Sequence, residues 1–104
     1  SRYRERTEKN ILSACGTLIC SFGPLAGGSA LTEALAIRHG RPFLHINFEL
    51  IEKNQAAVVV EQWLCSMELK VINVAGPRAS SEPRIYQAVY SLLTGIRWPS
   101  QPFD

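Results

Sequence analysis

No run in this sequence approaches the roughly 20 consecutive apolar residues that a membrane-spanning helix needs. The charged start, Arg2-Tyr3-Arg4-Glu5-Arg6, leads into no signal-peptide core. The expectation is therefore a soluble, cytoplasmic chain without a membrane partner. Cysteine is scarce as well: Cys15, Cys20 and Cys65 are odd in number and show no Cys-x-x-Cys spacing, which argues against a disulfide framework and a zinc site. Reduced, mostly buried thiols are expected, and without a base evident nearby none is a candidate nucleophile. Metal-ligand spacing is also missing. His45 sits in an apolar run with no second His or Cys near it, and His39 falls at a helix end, so no directly protein-ligated metal is expected. An excess of one charge is absent too, because 11 basic against 9 acidic side chains leave a scattered +2. That gives no electrostatic footprint for nucleic acid.

What is present is apolar material, 46% of the chain, enough for the core of one domain. Tyr3 to Leu12 reads as a solvated, charged helix with Glu5 and Lys9 at the favourable i,i+4 spacing. Gly16 then opens the strand-forming run Thr17-Leu18-Ile19-Cys20-Ser21-Phe22, which Gly23-Pro24 closes. A helix from Ser29 to about Arg38 stops at Gly40. The pattern repeats with a strand over 42–48 and a helix from about Asn54 to Met67, whose stripe of Ala56, Val59, Val60, Trp63, Leu64 and Met67 keeps helical spacing. Val71 to Ala75 is a third strand. The last helix begins near Ser81-Glu82-Pro83 and carries Ile85, Val89, Leu92, Leu93 and Ile96 on one face. Residues 1–98 read as one domain and 99–104 as a tail.

Short apolar strands alternating with helices imply right-handed βαβ crossovers and a parallel sheet. The fold class is α/β, a Rossmann-like three-layer arrangement with about three strands, each expected to be buried on both faces. Three strands are few against a usual mean of about five or six, so at least one edge is expected to lack a neighbour. A homo-oligomer, or a preceding segment supplied from elsewhere, is expected to fill it.

In such a sheet ligands bind beyond the carboxyl ends of the strands, where loops lead into helix N-termini. After the first strand, adjacent Gly27 and Gly28 let the backbone approach a ligand while the helix start presents free N–H groups to an anion such as phosphate. Ser29 and Thr32 offer hydroxyls, although Ser29 serves equally as a helix N-cap. After the third strand, Gly76-Pro77-Arg78-Ala79-Ser80 sets a guanidinium beside another helix start. Arg78 is suited to a two-pronged grip on an oxyanion, or alternatively to pairing with Glu82. Ser80 and Ser81 read as helix caps first and ligand donors second, and Asn47 and Glu49 as turn residues at the same rim. His45 reads as a satisfied core or edge histidine, and Trp63, Tyr86, Tyr90 and Trp98 as packing or interface residues.

Four segments together carry a family resemblance: Tyr3-Arg4-Glu5-Arg6-Thr7, Gly16-Thr17-Leu18-Ile19, the glycine loop from Gly23 to Thr32, and Asn73-Val74-Ala75-Gly76-Pro77-Arg78-Ala79-Ser80. In this order they resemble the molybdenum-cofactor carrier family, part of a wider Rossmann-like superfamily that includes the cytokinin-activating phosphoribohydrolases. The resemblance covers nearly the whole chain. It implies an anionic ligand at the glycine loop, either molybdenum cofactor (molybdopterin) or a nucleotide, and an oligomeric assembly. The family also has a preceding strand-loop-helix with a Gly-Gly-Gln-Thr-Gly loop, which this sequence lacks.

The related hydrolases carry Pro-Gly-Gly-x-Gly-Thr-x-x-Glu, whose glutamate acts on the glycosidic bond. Matching Gly28-Ser29 to their Gly-Thr pair puts Thr32 at the glutamate position, and a threonine is no acid or base near neutral pH. Glu33 comes one residue later, about 100° further around a helix. The residues therefore favour a carrier or binding protein for a phosphate-bearing small molecule over a nucleoside-monophosphate phosphoribohydrolase. An assembly domain with an empty crevice is the third reading.

Overall fold

The computed structural model describes residues 1–98 and realises the expected alternation. Its elements are α1 (Arg2–Leu12), β1 (Gly16–Ser21), α2 (Gly27–Arg38), β2 (Phe43–Asn47), α3 (Lys53–Ser66), β3 (Ile72–Ala75) and α4 (Ile85–Gly95). The segment 99–104, read above as a tail, lies outside the described residues.

The sheet is parallel, in the order β2-β1-β3. Leu18 in the middle strand stands opposite both Leu44 and Val74. Side chains alternate across β1. Leu18 and Cys20 enter a core with Val60 and Leu64 of α3 and with Ile85 and Leu92 of α4. Across the sheet, α1 packs on α2 through Ile11, Leu35 and Ala36. This is the three-layer Rossmann-like α/β architecture expected, and each fully buried aliphatic side chain stabilises it by about 1.5–3 kcal/mol.

Several expectations need correcting. Only β1 is buried along its whole length; β2 and β3 are half-buried because each has a single strand neighbour. Helix α2 starts at Gly27, two residues before the expected Ser29, with Ala26 as an N-cap that makes no side-chain bond. Ser29 is therefore inside the helix and caps nothing. Helix α4 starts at Ile85, beyond Pro83, whose ring disfavours helical conformation in the residue before it. Its N-cap is Arg84, so neither Ser80 nor Ser81 is a cap. Met67 was placed on the core stripe but is 48% exposed, because α3 ends there and Glu68 turns the chain at φ 53°. Of the three free thiols only Cys20 is buried, since Cys15 and Cys65 face outward. Among the described residues the carboxylate of α1 with a side-chain partner is Glu8, hydrogen-bonded to His39, rather than Glu5 with Lys9.

Candidate ligand-binding site

The loops after β1 and β3 converge at one rim of the sheet. Between them lies a crevice of about 500 Å³. Gly27, Gly28 and Ser29 form one wall, and Gly76, Pro77 and Arg78 the other. Tyr3, from the first turn of α1, Ala26 and Ser81 complete it. Six of the eight residues singled out from sequence thus meet in one place. Thr32 and Ser80 do not. Thr32 is buried one turn into α2, where its Oγ1 donates to the Gly28 carbonyl at 2.9 Å. Ser80 is exposed in the turn and Ser81 takes the place expected for it.

The glycine pair has two separate physical roles. Gly27 begins α2 at φ +53°, a left-handed conformation that side chains other than glycine adopt at a cost. Gly28 has an ordinary conformation but no room: a Cβ there would stand 2.0 Å from the Tyr3 hydroxyl. At the helix start the Ser29 and Ala30 amides both donate to the Ala26 carbonyl, at 3.1 and 3.4 Å. Among the described residues no carbonyl receives the amides of Gly27 and Gly28. These two donors stand at the positive end of the α2 dipole, where negative charge is favoured. Of the expected amide set, Gly27 and Gly28 are available and Ser29 is engaged.

Arg78 faces this helix start across the crevice, and among the described residues no carboxylate pairs with it. Glu82, the alternative partner, is taken by Arg84, whose Nε and Nη2 donate to it at 2.7 and 2.8 Å. That grip holds the Glu82 carboxyl below the usual carboxylate range and raises the Arg84 guanidinium. Arg84 also lies 4.0 Å over the Phe22 ring, a cation–π contact that keeps it beside the loop. Among the described residues the rim therefore presents two amides and one guanidinium without partners, which is a chemistry for anions.

The turn leading into the glycine loop is held by a polar knot that sequence reasoning resolved only in part. Asn47 Oδ1 accepts from the Gly23 amide at 2.8 Å and from the Glu49 amide at 3.0 Å, the turn role expected of it. His45 is satisfied, as expected, but by Ser21, with Nε2 and Oγ 2.7 Å apart. A serine touching a histidine suggests a nucleophile and its base. The hydroxyl proton, however, goes to the Gly23 carbonyl at 2.6 Å, so the imidazole must donate to Ser21 rather than accept from it. This arrangement braces a loop. Strand register, which sets Ser21 against Asn47 and Ile19 against His45, is the signal that would have found it. Burial pushes the nearby Cys20 thiol up to about 12, leaving no thiolate at neutral pH.

Residues 1–97 match the model of the circularly permutated YpsA SLOG family. The chain is also 48% identical to the "putative molybdenum carrier protein" of Syntrophus aciditrophicus SB, whose crystal structure superposes with a TM-score of 0.88. That match covers 89% of this chain and 59% of the other protein. None of the curated proteins matches. The segments that suggested a carrier family, from Tyr3 to Ser80, all fall within the matched range, and the chain belongs to the circularly permutated YpsA SLOG family.

Proposed function

We propose that this protein binds and carries a phosphate-bearing small molecule, with the phosphate seated between the α2 N-terminus and Arg78. The observation that carries the proposal is that two amides, Gly27 and Gly28, and the Arg78 guanidinium, all without partners among the described residues, face each other across one crevice. Each bonds an oxyanion more strongly than a neutral acceptor. The name of the Syntrophus relative speaks for molybdenum, and a pterin phosphate such as molybdenum cofactor, or else a nucleotide, is the class of guest we propose. Gly27, Gly28 and Arg78 would hold its phosphate. Among the described residues no three His, Cys, Asp or Glu side chains gather to ligate a metal.

Calorimetric titration with inorganic phosphate tests this reading. Hydrogen bonds to a charged group contribute about 1.5–3 kcal/mol, so Arg78→Ala should weaken phosphate binding by roughly 10- to 100-fold. Arg78 is exposed, so the melting temperature should stay almost unchanged. Equal phosphate affinity in the two proteins contradicts the proposal.

A second reading, assembly, is favoured by one observation. The free edge of β3 is flanked by exposed Val71, Val74, Tyr86 and Tyr90, and the two tyrosine rings stack on each other at 6.4 Å. We propose that this edge is covered in an oligomer, and native mass spectrometry should then show a multimer. A strictly monomeric chain at micromolar concentration would exclude it.

A further inference from the structure

We infer that β2 governs the phosphate site from outside it, with His45 and Asn47 as positioning residues that hold the glycine loop in its binding geometry. The inference rests on the phosphate-binding reading above and assigns these two side chains a share of the affinity. Neither lines the crevice. Both act on Gly23, where the loop leaves β1: Asn47 directly, and His45 through Ser21. Gly23 turns the chain at φ +99°. Glycine visits positive and negative φ about equally, so its own preference does not select that turn. Its neighbours must.

Gly23 is held at both of its polar ends. Its amide donates to Asn47 Oδ1 at 2.8 Å, and its carbonyl accepts the Ser21 hydroxyl at 2.6 Å. The Glu49 amide also donates to Asn47 Oδ1, so that oxygen is fixed between two donors. A hydroxyl rotates, and the direction of its single proton is decided by what else it touches. His45 Nε2, 2.7 Å from Ser21 Oγ, donates to it and leaves the serine proton for Gly23. The imidazole therefore acts as a donor, and removing it releases the rotor. The sheet does not need these side chains, because main-chain pairing aligns β1 with β2 and the Phe48 amide donates to the Ser21 carbonyl at 2.8 Å. Beyond Gly23 the path to the helix start is short. Pro24 has a fixed φ, and only Leu25 and Ala26 separate it from Gly27. A rotation at Gly23 thus re-aims the Gly27 and Gly28 amides, while Arg78 stays on the separate loop after β3. Hydrogen bonds weaken steeply as their angle closes, so such a turn lowers affinity without touching the anion.

The test is a titration of inorganic phosphate into the intact, isotopically labelled chain, wild type beside His45→Phe, His45→Gln and Asn47→Ala, with amide NMR as the readout. Ordering a loop that the protein no longer holds costs binding about 0.5–1.5 kcal/mol, so His45→Phe and Asn47→Ala should each weaken phosphate about two- to tenfold. Both should also move the Gly27 and Gly28 amide resonances before any phosphate is added. His45→Gln, whose side-chain amide again donates, should recover most of the affinity. Asn47→Ala leaves His45 in place and keeps the test open should His45→Phe disturb folding. Unchanged dissociation constants in both variants, even with lower melting temperatures, overturn the inference, as does a His45→Gln chain that binds as weakly as His45→Phe. Each of these results leaves the phosphate site standing. A wild-type chain that binds no phosphate removes the reading beneath, and the free-protein resonances then show separately whether β2 sets the loop.

Discussion

The close approach of Tyr3 to Gly28 makes a quantitative prediction about how α1 closes over the glycine loop. Replacing Gly28 with alanine introduces a methyl group 2.0 Å from the Tyr3 hydroxyl, so the phenol must swing away. The far end of a side chain that is 41% exposed can do so. Full burial of a large apolar side chain contributes about 1.5–3 kcal/mol, so losing a little over half of it costs Tyr3 about 1 kcal/mol. Against this, alanine in a helix is favoured over glycine by about 0.8–1 kcal/mol. The two effects offset, and Gly28→Ala alone should leave stability nearly unchanged. In a Tyr3→Ala background the collision is gone and the same substitution should stabilise by about 0.8–1 kcal/mol. A double-mutant cycle measured by urea denaturation should therefore give a coupling of about 1 kcal/mol, inside the range for residues in contact. Identical effects of Gly28→Ala in both backgrounds would refute the reasoning, because they would mean that α1 does not lie against the loop.

Two further outcomes follow from single side chains. Thr17 Oγ1 is buried without a partner among the described residues, and an unsatisfied buried polar group costs about 1–3 kcal/mol. Thr17→Val should raise the melting temperature by several degrees, at about 4–8 °C per kcal/mol for a domain of this size; a fall would show that the hydroxyl has a partner after all. The His39 hydrogen bond to Glu8, at 2.5 Å, holds that carboxyl below its ordinary value. A carboxyl lowered on folding stabilises the fold above its unfolded value and loses that contribution as pH falls through its folded one. Glu8→Gln should consequently flatten the decline in melting temperature below about pH 4.5, where free carboxylates titrate. The effect should be small and salt-sensitive at this exposed site, and parallel pH profiles in the two proteins would contradict it.

Much of the architecture was legible because it rests on local pattern. The alternation of apolar strands with helices, the punctuation at Gly23-Pro24 and Gly76-Pro77, and the stripe from Ala56 to Leu64 each depend on residues within a few positions of one another. Sheet order places the loops after β1 and β3 side by side, which is why Gly27, Gly28 and Arg78 come together. What sequence could not supply depends on partners distant along the chain. Glu82 was an equally good partner for Arg78 on spacing, and only the turn before α4 gives it to Arg84. The Ser21–His45 contact needs the β1–β2 register, and the Tyr3–Gly28 contact needs the angle at which α1 crosses α2. Ser29 misled because serine is a good cap wherever a helix begins, whereas here Gly27 starts the helix at a φ open to glycine.

The central claim is that two backbone amides and one guanidinium share a single anion. Titrating inorganic phosphate into isotopically labelled protein and following every amide by NMR measures it directly. Saturable shifts centred on the Gly27 and Gly28 amides and the Arg78 side-chain Nε, sharing one dissociation constant, are the predicted result. Shifts that centre elsewhere, or none at the glycine loop while phosphate binds, would contradict it.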